Sequence, residues 1–122
     1  MEGDDALTRD NPRFDQPHPT LCVQVARADE EELKLVVGGH LKYDTVAALQ
    51  AVVLDEQARV RPRRLVLDCA AISFVDSQAL ALLLALSKSC RRQGADFVLR
   101  NPREMLKKLI LLSRLDSLFI LE

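Results

Sequence analysis

The sequence predicts a single small α/β domain: a mixed, mostly parallel sheet of four to five strands packed with helices, in the order ββαβαβα. Three observations carry that prediction. Leu65-Val66-Leu67 is a continuous apolar run, which suits a central strand covered on both faces. Two segments before it, one alternating at period two over Leu21 to Ala26 and one over Leu33 to Val37, read as a hairpin. Apolar stripes at helical spacing then separate the later strands, and strand–helix–strand units demand parallel neighbours joined by right-handed crossovers. At 122 residues the chain has room for one such domain and little more.

Residues 1–19 carry Glu2, Asp4, Asp5, Asp10 and Asp15 together with Pro12, Pro17 and Pro19. So few apolar groups do not offset the entropy of ordering the backbone, which predicts a disordered acidic tail before a domain over 20–122. Leu21 to Ala26 alternates at period two, Ala28 to Glu32 supplies a turn, and Leu33 to Val37 forms the second strand of an antiparallel hairpin. Gly38-Gly39 is expected to end that strand. Asp44 or Thr45 can then cap a helix whose apolar stripe is Val46, Leu49, Val52 and Val53 and whose end falls near Ala58. Arg59 to Arg64, with Pro62 inside, reads as a basic surface loop.

After Leu65-Val66-Leu67 a short polar turn is expected, and Ile72, Phe74 and Val75 carry the backbone on to Asp76-Ser77. Ala79 to Leu86 contains only Leu and Ala, with no β-branched residue, a composition that favours helix over strand. Ala79, Leu82, Leu86 and Cys90 share its buried face. Gly94 follows Arg91-Arg92-Gln93 as the residue just past a helix end should. Ala95 to Arg100 is a further strand. Asn101-Pro102-Arg103-Glu104 predicts a cap, a proline in the first turn and a glutamate two residues on. Met105, Leu106, Leu109, Ile110 and Leu112 or Ser113 form the inward face of the last helix, and Leu118 to Leu121 either adds a short edge strand or packs on the domain.

Composition narrows the function. The formal net charge is -1, so no basic stripe points to nucleic acid. The clusters Lys88/Arg91/Arg92 and Lys107/Lys108 read as solvated helix faces. Cys22, Cys69 and Cys90 form no CxxC pair, and neither His18 nor His40 stands near a second ligand, so no metal or other cofactor is expected. Three unpaired thiols fit a cytoplasmic protein. The acidic start lacks the apolar core of a signal peptide, and the longest apolar run is too short for direct membrane insertion.

The Asp76-Ser77 junction is the candidate site, because it sets a hydroxyl beside a carboxylate at the positive end of a helix dipole. No general base accompanies it, and the chain has no GxSxG, P-loop or GxGxxG, so the expectation is not an enzyme. Read from the residues alone, Ser77 can also be a mere cap of the following helix.

Taken in order, these pieces resemble the STAS domain, the module shared by anti-sigma-factor antagonists and sulfate-transporter tails. Gly39-His40-Leu41-Lys42-Tyr43-Asp44-Thr45 resembles the family's Gly-Glu-Leu-Asp-x-x-Thr turn. Leu65 to Cys69 followed by Ile72 to Ser77 resembles its strand and Asp-Ser-Ser-Gly-Leu loop. Gly94 to Pro102 and Leu115 to Phe119 complete a likeness that runs from about Leu21 to Leu121. The chain departs from the pattern at Gln78 and Ala79, where the family has Ser and Gly. It departs again at His40 and Lys42, which stand in the acidic places of the turn, and at Arg114, where many members have a helix-ending Gly.

The resemblance implies a partner-switching protein of the stand-alone anti-sigma-factor antagonist type. It would bind a serine kinase that doubles as an anti-sigma factor, be phosphorylated at Ser77, and be reset by an opposing phosphatase. The partner-binding surface would draw on Gly39, His40, Lys42, Asp44 and Thr45 from the turn and on Asp76, Ser77, Gln78, Leu80, Ala81 and Leu84 from the helix start. The alternatives are a STAS subunit bound to the ATPase of a bacterial phospholipid ABC transporter, and a stressosome-type scaffold. A homodimer is compatible with each.

Overall fold

The computed structural model describes residues 20–122; the tail expected over 1–19 lies outside the described residues. The elements are β1 (Leu21–Ala28), β2 (Leu33–Leu41), α1 (Val46–Val60), β3 (Arg64–Val75), α2 (Ser77–Arg92), β4 (Asp96–Arg100), α3 (Glu104–Leu112), a 3-10 turn (Asp116–Leu118) and β5 (Ile120–Leu121). The strands lie in the order β1-β2-β3-β4-β5. Only β1 and β2 are antiparallel; each later strand is parallel to its neighbour, joined through an intervening helix. This is the small mixed α/β domain that the element order predicts.

Alternation along the strands divides the sheet into two faces. Leu33, Leu35 and Val37 of β2, Leu65, Leu67 and Cys69 of β3, and Phe97 and Leu99 of β4 meet Leu49 and Val53 of α1, Leu82, Leu83, Leu86 and Cys90 of α2, and Leu106 and Ile110 of α3 in one buried cluster. All three helices therefore cover the same face. Val66 and Val98, also fully buried, are directed to the other face by the two-residue period of their strands. That face carries an ionic cluster in which Glu122 lies 3.0 Å from Arg64 and 2.8 Å from Arg100. Phe119 is buried against Phe97, ring centroids 5.9 Å apart, so the end of the chain both packs and adds an edge strand.

Several local expectations are corrected. Gly38-Gly39 does not end β2: register shifts at these positions absorb the distortion and the strand runs on to Leu41. No turn follows Leu67 either. β3 continues through Asp68, whose carboxylate accepts the Ala70 N–H at 3.1 Å, to Val75. Pairing of β3 with β4 stops at Asp68, opposite Arg100, while pairing with β2 continues to Val75, opposite Leu41. The far half of β3 thus projects past β4 with β2 alone beside it.

The helix ends differ in detail as well. α1 runs to Val60 and closes on Arg61 in the left-handed region. α3 is capped by Arg103, not Asn101; Asn101 instead takes a left-handed conformation, and its N–H donates to the Glu122 carbonyl. Met105 and Leu112 do not face inward, being 48% and 81% exposed, because Leu106 and Ile110 already fill the core side of this nine-residue helix. α2 ends as its sequence predicts. Gly94 sits at φ 72, its N–H donates to the Arg91 carbonyl and that of Ala95 to the Cys90 carbonyl, which is the Schellman pattern.

Candidate functional site

The projecting pair of strands builds the site. Because Leu41 and Val75 are register partners in parallel strands, the residues that follow each of them, Lys42 and Asp76, leave the sheet side by side. The chain after Val75 turns directly into α2, and the chain after Leu41 makes the turn that opens α1. Two segments 33 residues apart are thereby brought together, and the Tyr43 N–H donates to Asp76 Oδ2 at 2.9 Å.

Asp76 is the N-cap of α2. Its Oδ1 accepts the N–H groups of Gln78 and Ala79, each at 3.0 Å, which satisfies two donors that the first turn of a helix leaves unpaired. One carboxylate therefore caps the helix with one oxygen and ties down the Lys42–Asp44 turn with the other. Ser77 is the first helical residue, not the cap. It is exposed, and its hydroxyl makes no hydrogen bond with the described residues.

The turn is stabilised from within. The Thr45 hydroxyl donates to the His40 carbonyl at 2.8 Å and accepts the Lys42 N–H at 2.9 Å, so Thr45 occupies the cap position of α1 while its side chain clamps the turn instead of the helix. Lys42 Nζ lies 2.6 Å from Asp44 Oδ1 and 5.0 Å from the centre of the Tyr43 ring. The hydrogen bond to Asp44 raises the Lys42 pKa; the charges of Asp44 and, more weakly, Asp76 act in the same sense. The His40 ring packs on Phe74 with centroids 5.3 Å apart. Thr20, His40, Lys42, Tyr43, Asp44, Thr45 and Phe74 enclose a shallow depression of about 650 Å³ beside the start of α2.

Lys42, Asp44, Thr45, Asp76 and Ser77 thus converge at one end of the sheet, with Gln78 and Ala81 exposed on the adjoining face of α2. Leu80 is half-buried against the core. Leu84 lies about 10 Å farther along the helix axis than Ser77. Gly39 lies back along β2, where the lack of a Cβ lets the Thr20 carbonyl approach and its own carbonyl accepts the Ser73 hydroxyl at 3.3 Å. Two residues absent from the sequence-based list belong to this surface: Tyr43, 70% exposed, and Phe74, 38% exposed. The signal for Tyr43 was an aromatic set among Lys42, Asp44 and Thr45 in a turn. Phe74 gave none, since its exposure depends on β3 outrunning β4. Among the described residues no group of three or more His, Cys, Asp and Glu is arranged to hold a metal, and no helix is long and apolar enough to cross a membrane.

Residues 24–122 match the STAS domain. The chain belongs to the STAS domain family. It is 29% identical over 92 residues, 75% of its length and 89% of the relative's, to the STAS-domain containing protein PA14_20770 of Pseudomonas aeruginosa strain UCBPP-PA14. Among solved structures it is similar to an anti-sigma factor antagonist from Mycobacterium paratuberculosis, with 25% identity, 84% of this chain and 85% of that one covered, and a TM-score of 0.72. It is also similar to the anti-sigma factor antagonist SpoIIAA in its unphosphorylated form (18% identity, 83% of this chain and 88% of that one, TM-score 0.71). The phosphorylated form of SpoIIAA, the Bacillus cell fate determinant, matches with 18% identity, 83% and 91% coverage and a TM-score of 0.66. At that identity the SpoIIAA structures bear on the STAS fold alone.

Proposed function

We propose that this STAS protein is a partner-switching regulator of the anti-sigma-factor antagonist type, acting by binding and not by catalysis. Unmodified, it docks a cytoplasmic serine kinase that doubles as an anti-sigma factor, using the Lys42–Thr45 turn and the exposed Ser77, Gln78 and Ala81 at the start of α2. The kinase transfers the γ-phosphoryl group of ATP to Ser77: the Ser77 Oγ–P bond forms, the bond to ADP breaks, and the hydroxyl proton passes to a base on the kinase. The added charge of roughly -1.5 to -2 beside Asp76 repels and desolvates badly in the interface, so the partner is released. A phosphatase returns the serine.

The observation that carries this reading is the division of labour at the start of α2. Asp76 does the capping, so Ser77 is left exposed with an unbonded hydroxyl at the first helical position. The similarity to an anti-sigma factor antagonist from Mycobacterium paratuberculosis supports the reading further. Incubation with ATP and a cognate serine kinase, followed by intact mass, is the test. A gain of one phosphate on the wild type and none on Ser77→Ala is expected; no gain, or the same gain on Ser77→Ala, sinks the phospho-switch.

A second reading has one observation in its favour. Gln78, Ala81 and Ala85 form an exposed ridge of mostly small side chains along α2, suited to close approach by another protein without any modification. Under that reading the chain is a subunit seated on the ATPase of an ABC transporter. Affinity purification separates the two: a stable ATPase complex indifferent to Ser77→Ala favours the second, a kinase complex lost on phosphorylation favours the first.

A further inference from the structure

We infer that Lys42 is the internal counter-ion of a phosphate on Ser77, leaving Asp44 for the phosphate when the serine is modified. This rests on the reading of Ser77 as the modified residue and deepens it by giving the turn a part in the switch.

The need for such a cation follows from how α2 begins. A helix N-terminus ordinarily offers a phosphate its free N–H groups. Here those of Gln78 and Ala79 are already held by Asp76 Oδ1, and that of Leu80 donates to the Asp76 carbonyl at 3.3 Å. The phosphate would also stand directly beside the Asp76 carboxylate, so that two anionic groups share one helix start. The N–H groups that follow Ser77 are committed and cannot relieve this; a side-chain cation can.

The sheet register supplies one. Lys42 follows Leu41 just as Asp76 follows Val75, and Leu41 and Val75 are partners, so Lys42 leaves the sheet next to Asp76 and one residue short of Ser77. The Tyr43 N–H bond to Asp76 Oδ2 holds the two segments together at that point. α1 and α2 supply no competing cation. The first cation of α1 is Arg59, near its far end, and the first of α2 is Lys88, about 16 Å along the axis from Ser77. The other titratable groups at this end of the sheet are the carboxylates Asp44 and Asp76, the Tyr43 phenol, His40, whose ring packs on Phe74, and Arg103 and Glu104 at the start of α3, which line a separate depression with Ser73, Phe74 and Val75; Arg103 is turned to the Ala70 carbonyl at 3.5 Å. The first turns of α1 and α2 contain no acidic residue.

In the unmodified protein the ammonium lies 2.6 Å from Asp44 Oδ1. A phosphate dianion on Ser77 offers it more charge than a single carboxylate and three acceptor oxygens. The ammonium moves to it, and the Lys42–Asp44 pair opens. Phosphorylation then alters two parts of the partner-facing surface: a charge appears at the start of α2, and the turn presents a rearranged Lys42 and Asp44.

The test does not depend on any kinase. Phosphoserine is placed at position 77 during translation, and the second phosphate pKa is read by 31P NMR titration in the full chain, in Lys42→Met and Lys42→Gln, and in Lys42→Arg. A neighbouring ammonium favours the dianion, so the pKa is expected to be lower with Lys42 than with Met or Gln by roughly half a unit, and Lys42→Arg is expected to restore the low value. Equal pKa values in the wild type and both neutral variants overturn the inference. Failure of a kinase to modify Ser77 would sink the proposed function while leaving this titration to give its own answer.

Discussion

The backbone N–H of Tyr43 donates to Oδ2 of Asp76 at 2.9 Å, while Oδ1 of the same carboxylate caps α2. Removing that side chain therefore breaks two connections at once. Asp76→Ala is expected to cost about 1–2 kcal/mol in a urea unfolding experiment, as loss of an N-cap does. Asp76→Asn separates the two roles. Its amide oxygen can still cap the helix, but its NH2 group meets the Tyr43 N–H donor to donor. Its stability should fall less than that of Asp76→Ala, yet the Tyr43 amide should exchange with solvent faster in both variants than in the wild type.

Glycine replacements at two positive-φ sites should differ sharply. At Gly39, φ 90, a Cβ would lie 1.9 Å from the Thr20 carbonyl oxygen, whereas at Gly94, φ 72, it would meet nothing within 4 Å. Gly94→Ala carries only the left-handed backbone penalty, about 1 kcal/mol. Gly39→Ala adds a backbone collision and should exceed it by at least ~1 kcal/mol. Arg114, at φ 57 after α3, is the reverse case. Arg114→Gly should stabilise the domain by about 0.5–1 kcal/mol, read as a shifted urea midpoint at constant slope.

Thiol chemistry should sort the cysteines. Cys22 is exposed, while Cys69 and Cys90 are buried. Burial pushes the Cys69 thiol up to about 12 and the Cys90 thiol up to about 11, so neither forms thiolate near neutral pH. A maleimide at pH 7 should modify one cysteine in the native protein and all three in denaturant, by intact mass. Rapid native modification of Cys22→Ser would contradict the packing around the other two.

The β5 tether should weaken in acid. The hydrogen bond from Arg100, followed by that from Arg64, holds the Glu122 carboxyl below its ordinary value of 4.5. A depressed folded pKa means that the unfolded chain takes up a proton first. The contribution of Glu122 is thus fully present above about 4.5 and disappears as the pH falls through the lower folded value. Melting temperature against pH should drop less steeply below that point for Glu122→Gln than for the wild type.

What could be read in the sequence follows from where the information is local. The helix of Leu and Ala residues, the end of α2 at Gly94 and the apolar start of β3 are dictated by composition and spacing, and the structure agrees with each. The middle of β3, Asp68-Cys69-Ala70-Ala71, has no strand-like alternation and reads as a short turn. Its conformation depends on pairing with β2, which no window of the sequence displays. The same holds at the site. Asp76 and Ser77 are neighbours in the chain and were found together, but the bond from Tyr43 to Asp76 spans 33 residues and exists only because Leu41 and Val75 share a register. Asn101, a cap by residue type, is engaged elsewhere: its N–H donates to the Glu122 carbonyl and its side-chain amide to Asp68 Oδ1, partners 21 and 33 residues away in the chain.

The unequal lengths of β3 and β4 give the domain a springboard. From Arg64 to Asp68 the central strand is gripped on both sides; from there to Val75 it is held by β2 alone. Lys42, Asp76 and Ser77 sit at the end flanked by β2 alone. Ile72 and Val75 are buried in the core there, so a partner that presses on this end strains one ladder of hydrogen bonds instead of two and passes the load to the core through those two side chains.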